Sequence, residues 1–178
     1  TEVVDKPGAP PIGPFSRSIA FEDVTFEYDE NRRILRKGAA IRVHLVPRNE
    51  FDYSGGRRAK WLEFARERFG AGVMPGERLD RLMSAPIVSH LLVFEDSATG
   101  GEVGTVLLYL QPPRVANYSF AFYALGRAAE NLGMFMMTRA VEFFSAMGLA
   151  HLHLGTCYDQ RALYKIQFAP IEYFTGWR

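Results

Sequence analysis

One cysteine, Cys157, stands in a chain of 178 residues, so neither an internal disulfide framework nor a multi-cysteine zinc or iron–sulfur site can be built. Charge of one sign is also lacking in bulk. The 21 Lys and Arg against 20 Asp and Glu give a net charge of +1, which removes overall attraction to nucleic acid or membrane as an expectation. No apolar run approaches the roughly 18–20 residues that cross a bilayer. The first residues, Thr1 to Pro14, lack the basic start and apolar middle of a secretory leader, so the expected setting is cytoplasmic, with no membrane partner. What is abundant is aromatic: 14 Phe, 8 Tyr and 2 Trp can fill a sizeable core.

Although balanced in total, charge is uneven along the chain. Residues 1–30 carry a net of −5, residues 31–68 a net of +7. The basic block has two centres, Arg32, Arg33, Arg36 and Lys37 in one, Arg57, Arg58, Lys60, Arg66 and Arg68 in the other. Such a block either holds phosphates or forms a solvated helix face.

Pro7, Pro10, Pro11 and Pro14 make the start an extended arm, and residues 1–30 are expected to lie outside a single domain spanning 31–178. Hydrophobic spacing then predicts a strand over Ala40–Val46 and helices over Gly56–Phe69 and Gly76–Ser84. Strands follow over Ile87–Phe94, Glu102–Leu110 and Asn117–Tyr123, the first two joined by a hairpin turn across Glu95–Gly101. A helix over Leu132–Met147 comes next, with Asn131 as its N-cap, Gly148 beyond its end, and Leu132, Phe135, Met136, Ala140, Phe143 and Met147 on its core face. The chain closes with a strand over His151–Leu154, a helix over about Asp159–Ile166 and a strand over Phe168–Phe174; a further strand over Phe21–Tyr28 is also expected. A helix between two neighbouring strands implies a parallel pair in a mostly antiparallel sheet. The expected fold is mixed α/β, with helices on both faces and a cleft where Asn117–Tyr123 and His151–Leu154 splay apart, Gly126, Gly133 and Gly155 at its rim.

Element order resembles the GNAT acyltransferase fold. The run Tyr164-Lys165-x-x-Phe168-x-Pro170-x-Glu172, after His153-Leu-Gly, resembles the C-terminal signature of the arginyl- and leucyl-tRNA–protein transferases. Phe122-Tyr123 followed by Leu132-Gly133 is similar to that family's Phe-Tyr … Leu-Gly arrangement, and Asn31-Arg-Arg-Ile-Leu-Arg-Lys resembles its basic lead-in. The chain departs from the family in lacking its N-terminal cysteine cluster and in having Ala124-Leu125 where the family has Asp-Pro. The resemblance implies transfer of an amino acid from aminoacyl-tRNA to the amino group of a peptide or protein, without a cofactor. In that reading Arg32, Arg33, Arg36, Lys37, Arg57 and Arg58 hold the tRNA. Phe122, Tyr123, Gly133, Gly155, Cys157, Tyr158 and Lys165 line the substrate site. The alternatives are an acyl-CoA-dependent N-acyltransferase and a non-catalytic peptide- or tRNA-binding relative.

Several residues carry chemistry of their own. Tyr164 stands where GNAT enzymes often have the tyrosine that protonates the leaving group, and a phenol of pKa about 10 stays protonated at neutral pH. Its other reading is a tyrosine packed on the core. Asp159 starts a helix, so it caps the helix or acts on the attacking amine as a base. Cys157 has no histidine nearby to activate it as a nucleophile. His151 and His153 share one strand face but lack a third ligand, so no metal site is expected. Tyr118, Phe120, Phe122 and Tyr123 alternate on two faces, one for the core and one for the cleft. The GNAT pyrophosphate loop corresponds to Glu130-Asn131-Leu132-Gly133-Met134-Phe135, where Glu130 and the Phe135 ring oppose ordinary acetyl-CoA use. Gly133 itself either admits a phosphate or only allows close packing.

Overall fold

The computed structural model describes residues 41–157, 160–168 and 170–172. Five strands form one sheet in chain order: β1 (Ile41–Pro47), β2 (His90–Asp96), β3 (Glu102–Gln111), β4 (Val115–Tyr123) and β5 (His151–His153). The first four pair antiparallel; β4 and β5 run parallel. Helices α1 (Gly55–Arg68) and α2 (Gly76–Ser84) connect β1 to β2, and α3 (Leu132–Ala146) connects β4 to β5. This is the expected order as far as β5. After it, Gln160–Gln167 coils as a 3-10 helix rather than an α-helix, and Phe168, Pro170, Ile171 and Glu172 form no strand. The expected strand at Phe21–Tyr28 and the arm lie outside the described residues, as does the end of the expected strand at Phe168–Phe174.

The sheet separates two apolar layers. On one side, Trp61, Phe64 and Ala65 of α1 and Leu79 and Met83 of α2 pack on Leu91, Leu107 and Phe122. Trp61 is sandwiched there, its ring stacked 4.7 Å from Phe122 and 5.8 Å from Phe51. On the other side, Leu132, Met136, Met137, Ala140 and Phe144 of α3 pack on Leu92, Phe94, Val106 and Leu108. This corrects the expected face of α3. Met147 is exposed and Phe143 only partly buried, while Met137 and Phe144 are in the core.

Turn chemistry accounts for the ends of these elements. Between β2 and β3 the Asp96 carboxylate accepts the N–H groups of Ala98 and Thr99, and Gly100 takes φ +68°, as a tight hairpin requires. After α3 the Gly148 N–H bonds Ser145 O and the Leu149 N–H bonds Phe144 O, with Gly148 at φ +75°. That pairing is the glycine stop expected from sequence, and Leu149 seals it against the core. At the other end of α3, Asn131 is not a side-chain cap. It takes φ +59°, a conformation asparagine tolerates, and its carbonyl accepts the N–H groups of Met134 and Phe135.

Removing the Trp61 side chain opens a cavity between α1 and the sheet. Trp61→Ala is expected to lower unfolding free energy by about 3–5 kcal/mol in chemical denaturation, as for other buried large-to-small changes. A loss under about 1 kcal/mol would contradict this packing.

Candidate functional site

Strands β4 and β5 stay together for three residue pairs only, Val115–His151 to Asn117–His153. From Tyr118 onward β4 remains paired to β3 while the chain beyond β5 turns away. The sheet therefore splays where the sequence placed a cleft. Its opening, about 760 Å³, is lined by β4 from Tyr118 to Ala121 and by Tyr123, by the end of α1 and the start of α3, and by Leu154, Tyr164, Lys165 and Gln167.

A bulge in β4 shapes this wall. Leu107 faces Phe120 and Leu108 faces Tyr118, so Ser119 is an extra residue without a partner on β3. An inserted residue reverses the inward–outward alternation beyond it. Tyr118 and Ala121 thus belong to the α3 side and Phe120 and Phe122 to the α1 side, while Tyr123 at the strand end touches both layers. Phe122 is consequently not part of the cleft. Its ring is 1% exposed and stacked on Trp61, which corrects its expected role in substrate binding.

Of the other residues named from sequence, Tyr123, Gly133, Tyr164 and Lys165 meet in the lining. Tyr164 is 46% exposed, and partial burial, helped by the nearby Tyr123 phenol and Cys157, raises its pKa above the usual tyrosine value. It is therefore a protonated phenol at neutral pH. Lys165 donates from Nζ to Thr156 O at 2.8 Å, and burial lowers its pKa. The α3 start approaches β4 closely. A Cβ on Gly133 would stand 3.0–3.2 Å from three atoms of the Tyr123 phenol, its oxygen included, so this glycine serves packing as well as opening the helix start to the cleft. Phe135 turns toward the α3-side core, so its ring does not block that helix start as the sequence suggested.

Gly155, at φ +79°, makes the turn out of β5, and the Cys157 thiol donates to Ala162 O at 3.3 Å. Both stand on the loop behind Tyr164 and outside the cleft lining. His151 and His153 are exposed, and among the described residues no group of three potential ligands surrounds a metal position. Tyr158, Asp159, Arg32, Arg33, Arg36 and Lys37 lie outside the described residues, as does the side chain of Glu130. Phe64, Glu67 and Phe69 also line the cleft and were not named from sequence as site residues, and Arg68, read there only as part of a basic centre, stands with them. Their helical spacing was visible, but the end of α1 reaching the cleft follows only from tertiary packing.

Arg57 and Arg58, expected to hold tRNA, are engaged within the protein. Arg57 pairs with Glu102 at 2.8 Å, bonds the Asp52 carbonyl and lies 4.6 Å above the Phe51 ring. Arg58 makes two bonds to Asp80, 2.7 and 2.8 Å, and Tyr53 donates to the same carboxylate at 2.9 Å. The Arg58 guanidinium beside Asp80, with Tyr53, holds that carboxyl below the usual range. Both arginines tie α1 to neighbouring elements and are already neutralised by carboxylates. An Arg57→Gln/Arg58→Gln variant is expected to lose thermal stability while its tRNA affinity in a low-salt gel shift is unchanged. Weakened tRNA binding at an unchanged midpoint would return them to an RNA surface.

No protein-family profile and no curated protein sequence matches the chain. Solved structures with similar folds include a possible acetyltransferase from Clostridium difficile 630, at 7% identity over 78% of this chain and 96% of that one, with a TM-score of 0.52. Others are an IAA acetyltransferase from Bacillus cereus ATCC 14579 (16% identity, 71% and 74% covered, TM-score 0.46) and a GNAT family acetyltransferase from Brucella melitensis solved with acetyl-CoA (15%, 67% and 80%, TM-score 0.42). The first of these carries the assignment of fold: the chain has a mixed α/β fold similar to that possible acetyltransferase, in line with the GNAT-like architecture expected from element order.

Proposed function

We propose that the protein is an acyl-CoA-dependent N-acyltransferase, moving an acyl group from a thioester to a primary amine. The observation that carries this reading is the open edge of β4 from Tyr118 to Tyr123, facing a cleft that Tyr164 overlooks. An exposed strand edge pairs with an extended amide-bearing chain as a further strand would, and the pantetheine arm of coenzyme A is such a chain. The α3 start opens to the same cleft through Asn131, Gly133 and Met134, where the positive end of a helix favours phosphate. Phe135, turned to the core, leaves that approach clear. These residues fit the donor without needing a metal.

In this reading the amine nitrogen attacks the acyl carbonyl, a C–N bond forms, the C–S bond breaks, and the amine proton leaves to solvent. The departing thiolate takes a proton from Tyr164, which solvent restores because the residue is half exposed. Tyr164 is protonated at neutral pH, the state from which it can donate. Asp159, which the sequence offers as a base, remains part of the proposal without a structural account.

The aminoacyl-tRNA donor implied by the family resemblance has less behind it. It relies on two basic centres, of which Arg57 and Arg58 are internally paired. The C-terminal Tyr-Lys motif serves a thioester donor equally well.

Incubation with acetyl-CoA and a panel of amines, followed by free-thiol release, tests the reading. Tyr164→Phe is expected to lower the single-turnover rate by about 10²–10⁴-fold with the thermal midpoint unchanged. The wild-type alkaline limb should fall above pH 10, since protonated Tyr164 is the active form and its pKa is raised. An unaltered rate in Tyr164→Phe would remove it from the mechanism, and thiol release from no amine would remove the reading itself.

A further inference from the structure

Deep in the cleft, acyl transfer as described leaves one group unused. Tyr118 is 5% exposed, and among the described residues its hydroxyl is the one buried side-chain polar atom with no hydrogen-bond partner. The residue lines the opening just where β5 parts from β4, and its hydroxyl is closed to solvent, so a ligand must press in at this wall to reach it. A buried hydroxyl left unpaired is costly, so a ligand that supplies a partner gains affinity by relieving it. Burial, with smaller contributions from the Tyr164 and Tyr123 phenols, raises its pKa and keeps it neutral.

The surroundings restrict what reaches it. Phe64, Phe69, Phe120, Met137 and Leu154 give the cleft apolar, largely aromatic walls. Glu67 is the one carboxylate of the described lining, which also holds the cations Arg68 and Lys165. This rim repels a polyammonium and favours the neutral, nucleophilic form of a single amine. An aromatic body fits the walls, and one neutral polar atom on it fits the phenol.

We propose that the acceptor is a monoamine with an aromatic body carrying one neutral hydrogen-bonding group, and that the Tyr118 hydroxyl is the specificity-determining partner of that group. The word acceptor rests on the acyltransferase reading; the ligand class rests on the cleft alone.

Calorimetric titration of the full chain with tyramine, phenethylamine and spermidine, without acyl donor, tests the ligand class directly. Tyramine is expected to bind about 5–10-fold tighter than phenethylamine, the worth of one hydrogen bond, and spermidine most weakly. In Tyr118→Phe the two aromatic amines should bind alike and phenethylamine as in wild type. The free variant should melt at the same or a higher temperature, because an unpaired buried hydroxyl has gone. The inference is overturned if spermidine binds best, if no aromatic amine binds, or if wild type does not prefer tyramine. It is likewise overturned if the preference survives in Tyr118→Phe or that variant melts lower. The expected binding order without thiol release on adding acetyl-CoA would uphold the ligand class and overturn only the acyltransferase reading.

Discussion

The parting of β4 from β5 after three paired residues is the constraint on which the rest of the molecule depends. A parallel pair must be joined by a crossover, here α3, whose start is thereby fixed at the mouth of the opening. Gly133 lets that start press against Tyr123, and Gly155 turns the chain out of β5 so that Tyr164 faces back across the gap. The two apolar layers hold the walls apart. Trp61 and Phe122 lock α1 to one face, and Met136 with Ala140 locks α3 to the other. A cleft of this kind requires only the loss of a few strand hydrogen bonds, provided a ligand or solvent takes up the freed edge.

Much of the architecture was legible because periodicity and punctuation agreed. Trp61, Phe64 and Ala65 mark one helical face, Gly148 and Leu149 a helix stop, and Asp96 to Gly101 a hairpin. The parallel pair followed from a helix too long for a turn between neighbouring strands. Where reading failed, a local rule was overridden. Asn131 has the composition of a cap but sits in the left-handed region, because the preceding 3-10 helix Leu125–Glu130 must break before α3. Gln167 marks the end of a short 3-10 helix, not an α-helix, and Phe168, Pro170, Ile171 and Glu172 form no strand.

The site was legible in part, and for identifiable reasons. Tyr164, Lys165, Tyr123 and Gly133 were named from a sequence resemblance and do meet in one lining. Phe122 was misplaced because a single extra residue, Ser119, reverses the side-chain alternation of β4, and nothing in the residue types announces a bulge. Arg57 and Arg58 looked like phosphate ligands because a charge run shows nothing of its partners. Asp80 and Glu102 are 22 and 45 residues away, and only folding brings them together. The same long-range closure makes Tyr118 a buried phenol without a partner, a property of the assembled cleft and not of the segment that contains it.

The central claim is that the freed edge of β4 receives the acyl donor. Amide hydrogen exchange, measured across the chain with and without acetyl-CoA, tests it most directly. The account predicts slowed exchange at residues 118–123 and at the start of α3, with β1 and β2 unaffected. Saturable binding that leaves residues 118–123 unprotected, or protects another surface instead, would contradict it.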